Sequence, residues 1–390
     1  MLIVPTLGQG GMERVCVNTA RLLEPYYEPI IVVFNGADTA FDIEGLNIID
    51  IRRGARSGWL AKLINIVIRT MKLKKLKRDL KPIFAYSFGP TANIVNSLSK
   101  TNETKVWVSL RNYIDIHETQ KIKLFIKKAD MITTCSEELT KALKDIFHYT
   151  KAVTIYNPYN IPEIKRIAAL GEPLLPWDDA ELGSNVLISM GRDDDLKGFW
   201  HTIKVFYLVH QVFPDAKLII VGALLAEYSK LLDDLGISQS VHITGPQKEP
   251  YCYLKKGTVY LLNSNNEGFP NALAEAMIMG MAVVACDCPT GPAEILLKSC
   301  PAESERQKIY HEKSVIWGEY GILVPNMDKA KNLDASVITQ EERNMADVVI
   351  KLLSDSELLN AYKKVAGERI MCFTSESYTE HFIAPFTQSH

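Results

Sequence analysis

Short apolar runs alternate with segments of helical period along most of the chain. Leu2–Pro5, Ile30–Phe34, Ile83–Ser87, Val106–Leu110, Met131–Cys135 and Ala152–Tyr156 are short and continuously apolar, the pattern of buried strands. Amphipathic segments separate several of them, and such βαβ alternation predicts a parallel, doubly wound sheet. The pattern weakens after Asn157-Pro158, and Glu172-Pro-Leu-Leu-Pro-Trp177 reads as a linker. A second series follows with Asn185–Met190, Lys217–Val221, Val241–Thr244, Val259–Leu262, Ala282–Cys286 and Gly321–Pro325. From Glu341 to about Phe373 the period is helical, with no strand after it. The expected fold class is therefore α/β: two Rossmann-like, doubly wound domains facing across a cleft, residues 1–160 and 161–373, ending in C-terminal helices. The tail, about 374–390, can pack back on the first domain.

Composition places few further limits. The chain has 390 residues, 47% hydrophobic and 23% charged, which describes a soluble globular protein of two or three domains. Its seven cysteines are scattered, and Cys286-x-Cys288 lacks a second pair or a nearby His, so they read as reduced thiols of a cytoplasmic protein without a zinc site. No run of 18 or more apolar residues predicts a membrane span, and MLIVPTLGQGGMERV lacks the basic start and apolar core of a signal peptide.

Charge changes the picture more. The total of 44 Lys and Arg against 46 Asp and Glu gives a net of −2. Residues 1–157 hold 23 basic and 15 acidic residues, a net of +8, so the remainder carries −10. The basic half should meet an anionic partner: membrane lipid, a diphosphate or nucleic acid. Trp59–Lys81 concentrates this charge, with eight basic residues and one acidic. Its period is helical, and Leu60, Leu63, Ile64, Val67, Ile68, Met71 and Leu76 share one stripe. Such a basic amphipathic helix either lies on an anionic membrane or turns its apolar stripe to the domain core. Nucleic acid is disfavoured, because Trp59 is the stretch's only aromatic residue and no base-stacking motif accompanies it.

Open parallel sheets bind ligands beyond the carboxyl ends of their strands. Three segments there carry candidate chemistry. Gly8-Gln-Gly10-Gly11-Met12-Glu13-Arg14 follows the first strand and opens a helix, which serves either as a simple turn or as a backbone cradle for an anion. Gly191-Arg192-Asp193-Asp194-Asp195-Leu196-Lys197-Gly198 offers two cations to one diphosphate. Its Asp193-x-Asp195 pair also allows a metal-bound diphosphate, although the flanking cations compete with a metal and a solvated loop is the plainer reading. Ser264-Asn265-Asn266-Glu267-Gly268-Phe269-Pro270-Asn271 leads into a helix bearing Glu275. There one carboxylate can meet a sugar and the other a ribose, with the N–H groups of Gly268 to Asn271 left for a diphosphate.

Taken in order, Gly10-Gly11-Met12-Glu13-Arg14, Arg192…Lys197-Gly198, Glu267-Gly268-Phe269-Pro270-Asn271…Glu275-Ala276-Met277 and Asp287-Cys288-Pro289-Thr290-Gly291-Pro292-Ala293-Glu294 resemble the motifs of the family 4 retaining glycosyltransferases with the GT-B fold. Ala129-Asp130…Ser136 and Tyr156-Asn157-Pro158 match as well, and the resemblance runs from about residue 5 to about residue 373. It implies metal-independent transfer of a hexose or N-acetylhexosamine from a nucleotide sugar, expected to be UDP-linked, with retention and without a cofactor. The donor would lie on the second domain and the acceptor on the first. By the same resemblance Arg192 and Lys197 stabilise the leaving diphosphate, Glu267 contacts the hexose and Glu275 the ribose. Gly11, Gly191, Ser264, Gly268, Phe269, Pro270 and Asn271 complete the donor side. Where relatives often carry a His after the fourth strand, this chain has Ser109-Leu110-Arg111-Asn112, with His117 further on. That form resembles a subgroup acting on bacterial surface polysaccharide and lipid-linked oligosaccharide, and it points to Glu13, Arg111, Asn112 and His117 on the acceptor side. Relatives often show Gly-Pro-Arg-Glu where this chain has Gly291-Pro292-Ala293-Glu294. The implied setting is peripheral, on the cytoplasmic face of a membrane. A nucleotide-sugar epimerase of the same fold and an idle sugar-nucleotide-binding subunit are the alternatives.

Overall fold

The apolar runs assemble into two separate seven-stranded sheets. The computed structural model describes residues 1–390 apart from 9, 37–38, 40, 56 and 388–390, with the backbone alone at 225, 303, 313 and 385–387. The first sheet contains β1 (Leu2–Val4), β2 (Ile30–Val33), β3 (Asn47–Asp50), β4 (Phe84–Phe88), β5 (Lys105–Leu110), β6 (Met131–Thr134) and β7 (Ala152–Thr154). Their order is β3-β2-β1-β4-β5-β6-β7, parallel throughout. The second contains β8 (Val186–Met190), β9 (Lys217–Val221), β10 (Val241–Ile243), β11 (Val259–Leu262), β12 (Ala282–Cys286), β13 (Ile316–Trp317) and β14 (Ile322–Val324). Its order is β10-β9-β8-β11-β12-β14-β13, and only the β13–β14 pair is antiparallel. Each chain order reverses direction once, beside β1 and beside β8, as doubly wound sheets do.

Two of these strands carry no strong sequence signal. β3 is an edge strand with exposed Asn47 and Asp50 at its ends, and β13 is two residues long. The long C-terminal helical pattern is broken at Asp355. Its carboxylate accepts from the N–H groups of Glu357 and Leu358, ending Gln340–Ser354 and capping Ser356–Arg369.

Contacts divide the chain into Met1–Pro158 with Ser375–His390, and Tyr159–Thr374. In the first unit the C-terminal helix Ser375–Thr387 places Tyr378 and Phe382 in a core with Phe84, Tyr86 and Trp107. The Tyr378 hydroxyl meets Thr19 Oγ1 at 2.8 Å. In the second unit the helix Phe199–Val212 is buried along most of its length between sheet and the Gln340–Ser354 helix. It even buries His201, whose Nδ1 lies 2.6 Å from Glu342 Oε1 and whose Nε2 lies 2.9 Å from the Asp328 carbonyl.

The helix Trp59–Leu80 corrects the core-facing reading of its apolar stripe. Leu60, Leu63, Ile64, Val67 and Met71 are exposed, while Ile68 and Leu76 are half-buried. The face turned to the domain instead buries Asn65, Arg69, Leu73 and Lys77. Asn65 donates to the Gly54 carbonyl, Arg69 to Arg53, Lys72 to Ile51, and Lys77 to the carbonyl and Oδ1 of Asn96. Those hydrogen bonds satisfy loop carbonyls that water would otherwise serve, which explains why polar residues line the inner face.

Candidate active site

The candidate residues of the second unit sit on loops leaving β8, β11 and β12. After β8 the chain turns through Gly191, and the Lys197 side chain lies across that glycine. A Cβ at 191 would stand 3.0 Å from Lys197 Cγ and Cδ, so the absence of a side chain shapes the cation's path. Lys197 Nζ then reaches Glu267 Oε1 at 2.6 Å. Both side chains are largely but not fully covered, 22% and 12% exposed, so the pair remains in reach of a ligand. Arg192 is exposed and makes no hydrogen bond or ion pair among the described residues. One cation is thus held against a carboxylate and the other is available.

The three aspartates have separate tasks. Asp194 accepts from the Leu196 N–H at 2.9 Å, Asp195 pairs with Lys331 at 3.0 Å, and Asp193 is exposed. The first two stiffen the loop that carries Lys197, which supports the plainer reading of that triplet.

Glu267 is fixed from three sides. Its loop starts at Asn265, whose N–H donates to the Leu196 carbonyl at 3.0 Å. Its own carbonyl accepts from Thr290 Oγ1 at 2.7 Å. Thr290 has φ of 63°, a left-handed conformation costing a β-branched residue roughly 1–2 kcal/mol. Strain of this kind persists where surrounding contacts enforce it. Gly291, with φ of 96°, packs against the same loop, since a Cβ there would come within 2.6 Å of Pro270 Cδ. Phe269 is buried edge-on to Phe373, with centroids 5.2 Å apart.

Pro270 precedes the helix, which begins at Asn271 and ends at Ile278. Asn271 Oδ1 accepts from the Tyr159 hydroxyl at 2.6 Å. Glu275 is 3% exposed and accepts from the Tyr251 hydroxyl at 3.3 Å. The structure therefore joins Lys197 to Glu267, whereas Glu275 lies deeper, with its own partner. Ser264 is buried below this loop, where its carbonyl accepts from the Cys286 thiol at 2.7 Å.

Around the loop lie unsatisfied oxygens, one of which, on Asn326, sequence reasoning did not single out. The side-chain oxygens of Ser264, Asn265, Asn266 and Asn326 are buried and accept nothing among the described residues. The Asn326 amide lies 3.5 Å from the Asn265 carbonyl, placing it beside the same turn. Unsatisfied buried acceptors are costly, and a cluster of them beside a cation is the expected mark of a polar ligand's seat. Asn326 stands two residues past the end of β14, and this position at a strand's carboxyl end was its available signal.

In the first unit the candidates come from the helix after β1 and from the segment after β5. Gly11 is the first residue of the helix Gly11–Leu23, and Glu13 lies in its first turn; Gln9 of the same motif is outside the described residues. Arg111 follows β5 and donates to Ser109 Oγ at 3.1 Å and to Asn157 Oδ1, with its guanidinium 5.9 Å from the Phe88 ring centroid. Asn112 Oδ1 accepts from the Ile114 N–H at 3.0 Å, opening the short helix Ile114–His117. His117 is exposed and packs edge-on to Tyr113. Beside it, burial pushes the Asp115 carboxyl up to about 6, with Glu118 adding to the shift.

Residues 178–299 match the family described as glycosyl transferases group 1. An uncharacterized glycosyltransferase of Methanocaldococcus jannaschii is 32% identical over 322 residues, covering 76% of this chain and 77% of the relative. The chain is a group 1 glycosyltransferase. As such it transfers a sugar from a nucleotide sugar. This glycosyltransferase is also 24% identical over 391 residues to the N-acetylgalactosamine-N,N'-diacetylbacillosaminyl-diphospho-undecaprenol 4-alpha-N-acetylgalactosaminyltransferase of Campylobacter jejuni, covering 95% and 94% of the two chains. Its fold is that of Anabaena HepE, solved in complex with UDP, at a TM-score of 0.72, 17% identity and 99% coverage of both chains. Both sheets are accordingly the Rossmann-like halves of a GT-B glycosyltransferase.

Proposed function

We propose that this glycosyltransferase moves a hexose or N-acetylhexosamine from a UDP-linked donor to a lipid-linked or polysaccharide glycan, with retention and without a metal. The observation that carries the donor side is the Lys197–Glu267 pair beside an unengaged Arg192. Breaking the sugar–phosphate bond leaves negative charge on the diphosphate, and preorganised cations lower the energy of that state. Arg192 and Lys197 take this role, and the N–H groups from Gly268 to Asn271 join them. Lys197 already faces a carboxylate, so donor binding exchanges part of that partner for phosphate. Glu267 is left beside the transferring sugar. Glu275 serves the ribose, and the oxygens of Ser264, Asn265, Asn266 and Asn326 receive donor hydroxyls or N–H groups.

For retention, the acceptor oxygen bonds to the sugar's anomeric carbon on the face the diphosphate leaves. The acceptor proton passes to the departing phosphate oxygen, and no side-chain base is required. The net charge of +8 over residues 1–157 suits an acceptor bearing phosphate, with Arg111, Asn112, His117 and Glu13 its candidate contacts. A diphosphate-linked lipid acceptor, the class named for the Campylobacter relative, places the reaction at the cytoplasmic face of a membrane. An epimerase would convert the donor with no second substrate. The relatives carry transferase names, which supports transfer to an acceptor over conversion of the donor alone.

The test is radiolabelled transfer and donor hydrolysis across UDP-, GDP- and ADP-sugars, with chelator present. Turnover of a UDP-sugar that falls at least a hundredfold in Glu267→Ala supports the proposal. Turnover of GDP- or ADP-sugars alone overturns the nucleotide, loss of turnover with chelator overturns metal independence, and conversion without acceptor favours the epimerase.

A further inference from the structure

The helix Trp59–Leu80 turns its hydrophobic side to solvent. Trp59 is 70% exposed, Val67 57% and Met71 67%, and Leu60, Leu63 and Ile64 join them in one ridge about 18 Å long. At 100° per residue these six side chains fall within about 140° of the helix circumference. The same face continues past Met71 as Lys74, Lys75, Arg78 and Lys81, so it changes from apolar to cationic along the axis. Asp79 is the helix's sole acidic residue.

This orientation is held in place. Hydrogen bonds from Asn65, Arg69, Lys72 and Lys77 to loop and neighbouring-helix oxygens fix the polar side inward. Leu73 packs into the core with Ile3, Val32 and Phe34. Rolling the helix to hide its ridge would break those bonds, pull Leu73 out of the core and leave the oxygens of Ile51, Arg53, Gly54 and Asn96 without these donors.

We infer that this outward face docks on an anionic lipid bilayer, with the ridge at the headgroup–acyl boundary and the Lys74–Lys81 end on lipid phosphates. A convex ridge, an aromatic residue at its tip and a cationic continuation fit a charged, deformable plane. No helix among the described residues is long and apolar enough to cross a membrane, so the helix lies in the interface. The face is defined without reference to the reaction. Its failure and the failure of the transferase reading are therefore separable.

The experiment is co-sedimentation of the full chain with vesicles of equal phosphatidylglycerol and phosphatidylcholine, against pure phosphatidylcholine vesicles. Partition to the anionic vesicles is expected to be tenfold or more stronger and to weaken with salt. Leu63→Gln with Val67→Gln lowers partition at least tenfold. Lys75→Gln with Arg78→Gln lowers it by about fivefold per charge. Both doubly substituted proteins keep the wild-type melting temperature and donor hydrolysis rate. Equal partition of wild type and the Leu63/Val67 variant, or equal partition to both vesicle types, overturns the inference. So does a dimer that the Leu63/Val67 variant dissolves while vesicles bind nothing, because the ridge then belongs to a second copy.

Discussion

The loops leaving the two sheets hold their polar residues in different ways. In the second unit the loops interlock: Leu196 receives from Asn265, Lys197 reaches Glu267, and Thr290 supports the Glu267 carbonyl. In the first unit Arg111 is steadied by neighbours from its own strand and from Asn157, Asn112 is used in a local turn, and His117 is exposed. One sheet carries a prebuilt charge arrangement. The other presents Arg111, Asn112 and His117 along one segment after β5, in the basic part of the chain. Preorganised charge is what a reaction with a developing diphosphate requires, whereas an acceptor can be bound by contacts that adjust.

The largest effect should come from breaking the interlocked side. Lys197→Ala and Glu267→Ala are each expected to lower kcat by about 10²–10³-fold. If the two act as one unit, the doubly substituted enzyme is little worse than either alone, which a double-mutant cycle on kcat reads directly. Full additivity would show that the ion pair is incidental to turnover. Arg192→Ala, which frees no buried partner, should cost less, about 10–10²-fold, and mainly in donor KM. A smaller effect is expected from the first unit. Arg111→Ala should raise the acceptor KM about tenfold and leave donor hydrolysis unchanged. Loss of donor hydrolysis in that variant would erase the distinction between the two units.

The comparison also shows what could be read from sequence. Ten of the strands announced themselves because they lie inside a sheet with both faces covered, giving continuous apolar runs, and the edge strands β7 and β10 kept enough apolar residues to be read as well. β3 and β13 lie at sheet edges, where one side is wet and the run is short. The Glu267 loop was legible because glycine, proline and two carboxylates stand at fixed spacing after a strand. The Lys197–Glu267 contact was not, since it joins residues 70 apart and depends on how the side chain crosses Gly191. Thr290 was quoted within a motif, but its left-handed backbone has no sequence mark in a β-branched residue. For the helix Trp59–Leu80, periodicity gave the stripe but not its direction. A period states which residues share a face, while the carbonyls available at residues 51–54 decided which face turned inward.

That inward face supplies the smallest and most specific effect. Lys77 is fully buried, and desolvation brings its ammonium down from 10.5 to about 7, with Lys100 adding to the shift and Asp130 opposing it. The folded chain then releases this proton near neutrality, whereas the unfolded chain keeps it until about pH 10.5. Across that window the unfolded state binds more protons, so stability rises with pH. Below pH 7 the cost of the buried charge is fully present. Lys77→Met removes the titration along with the hydrogen bonds to Asn96. The lost hydrogen bonds lower stability by an amount independent of pH, so the slope isolates the ammonium. Urea midpoints measured at about pH 7.5 and 9.5 should rise more for wild type than for Lys77→Met. Equal slopes would mean that the Asn96 oxygens hold the ammonium charged, and that the inner face tolerates a cation as readily as the outer one does.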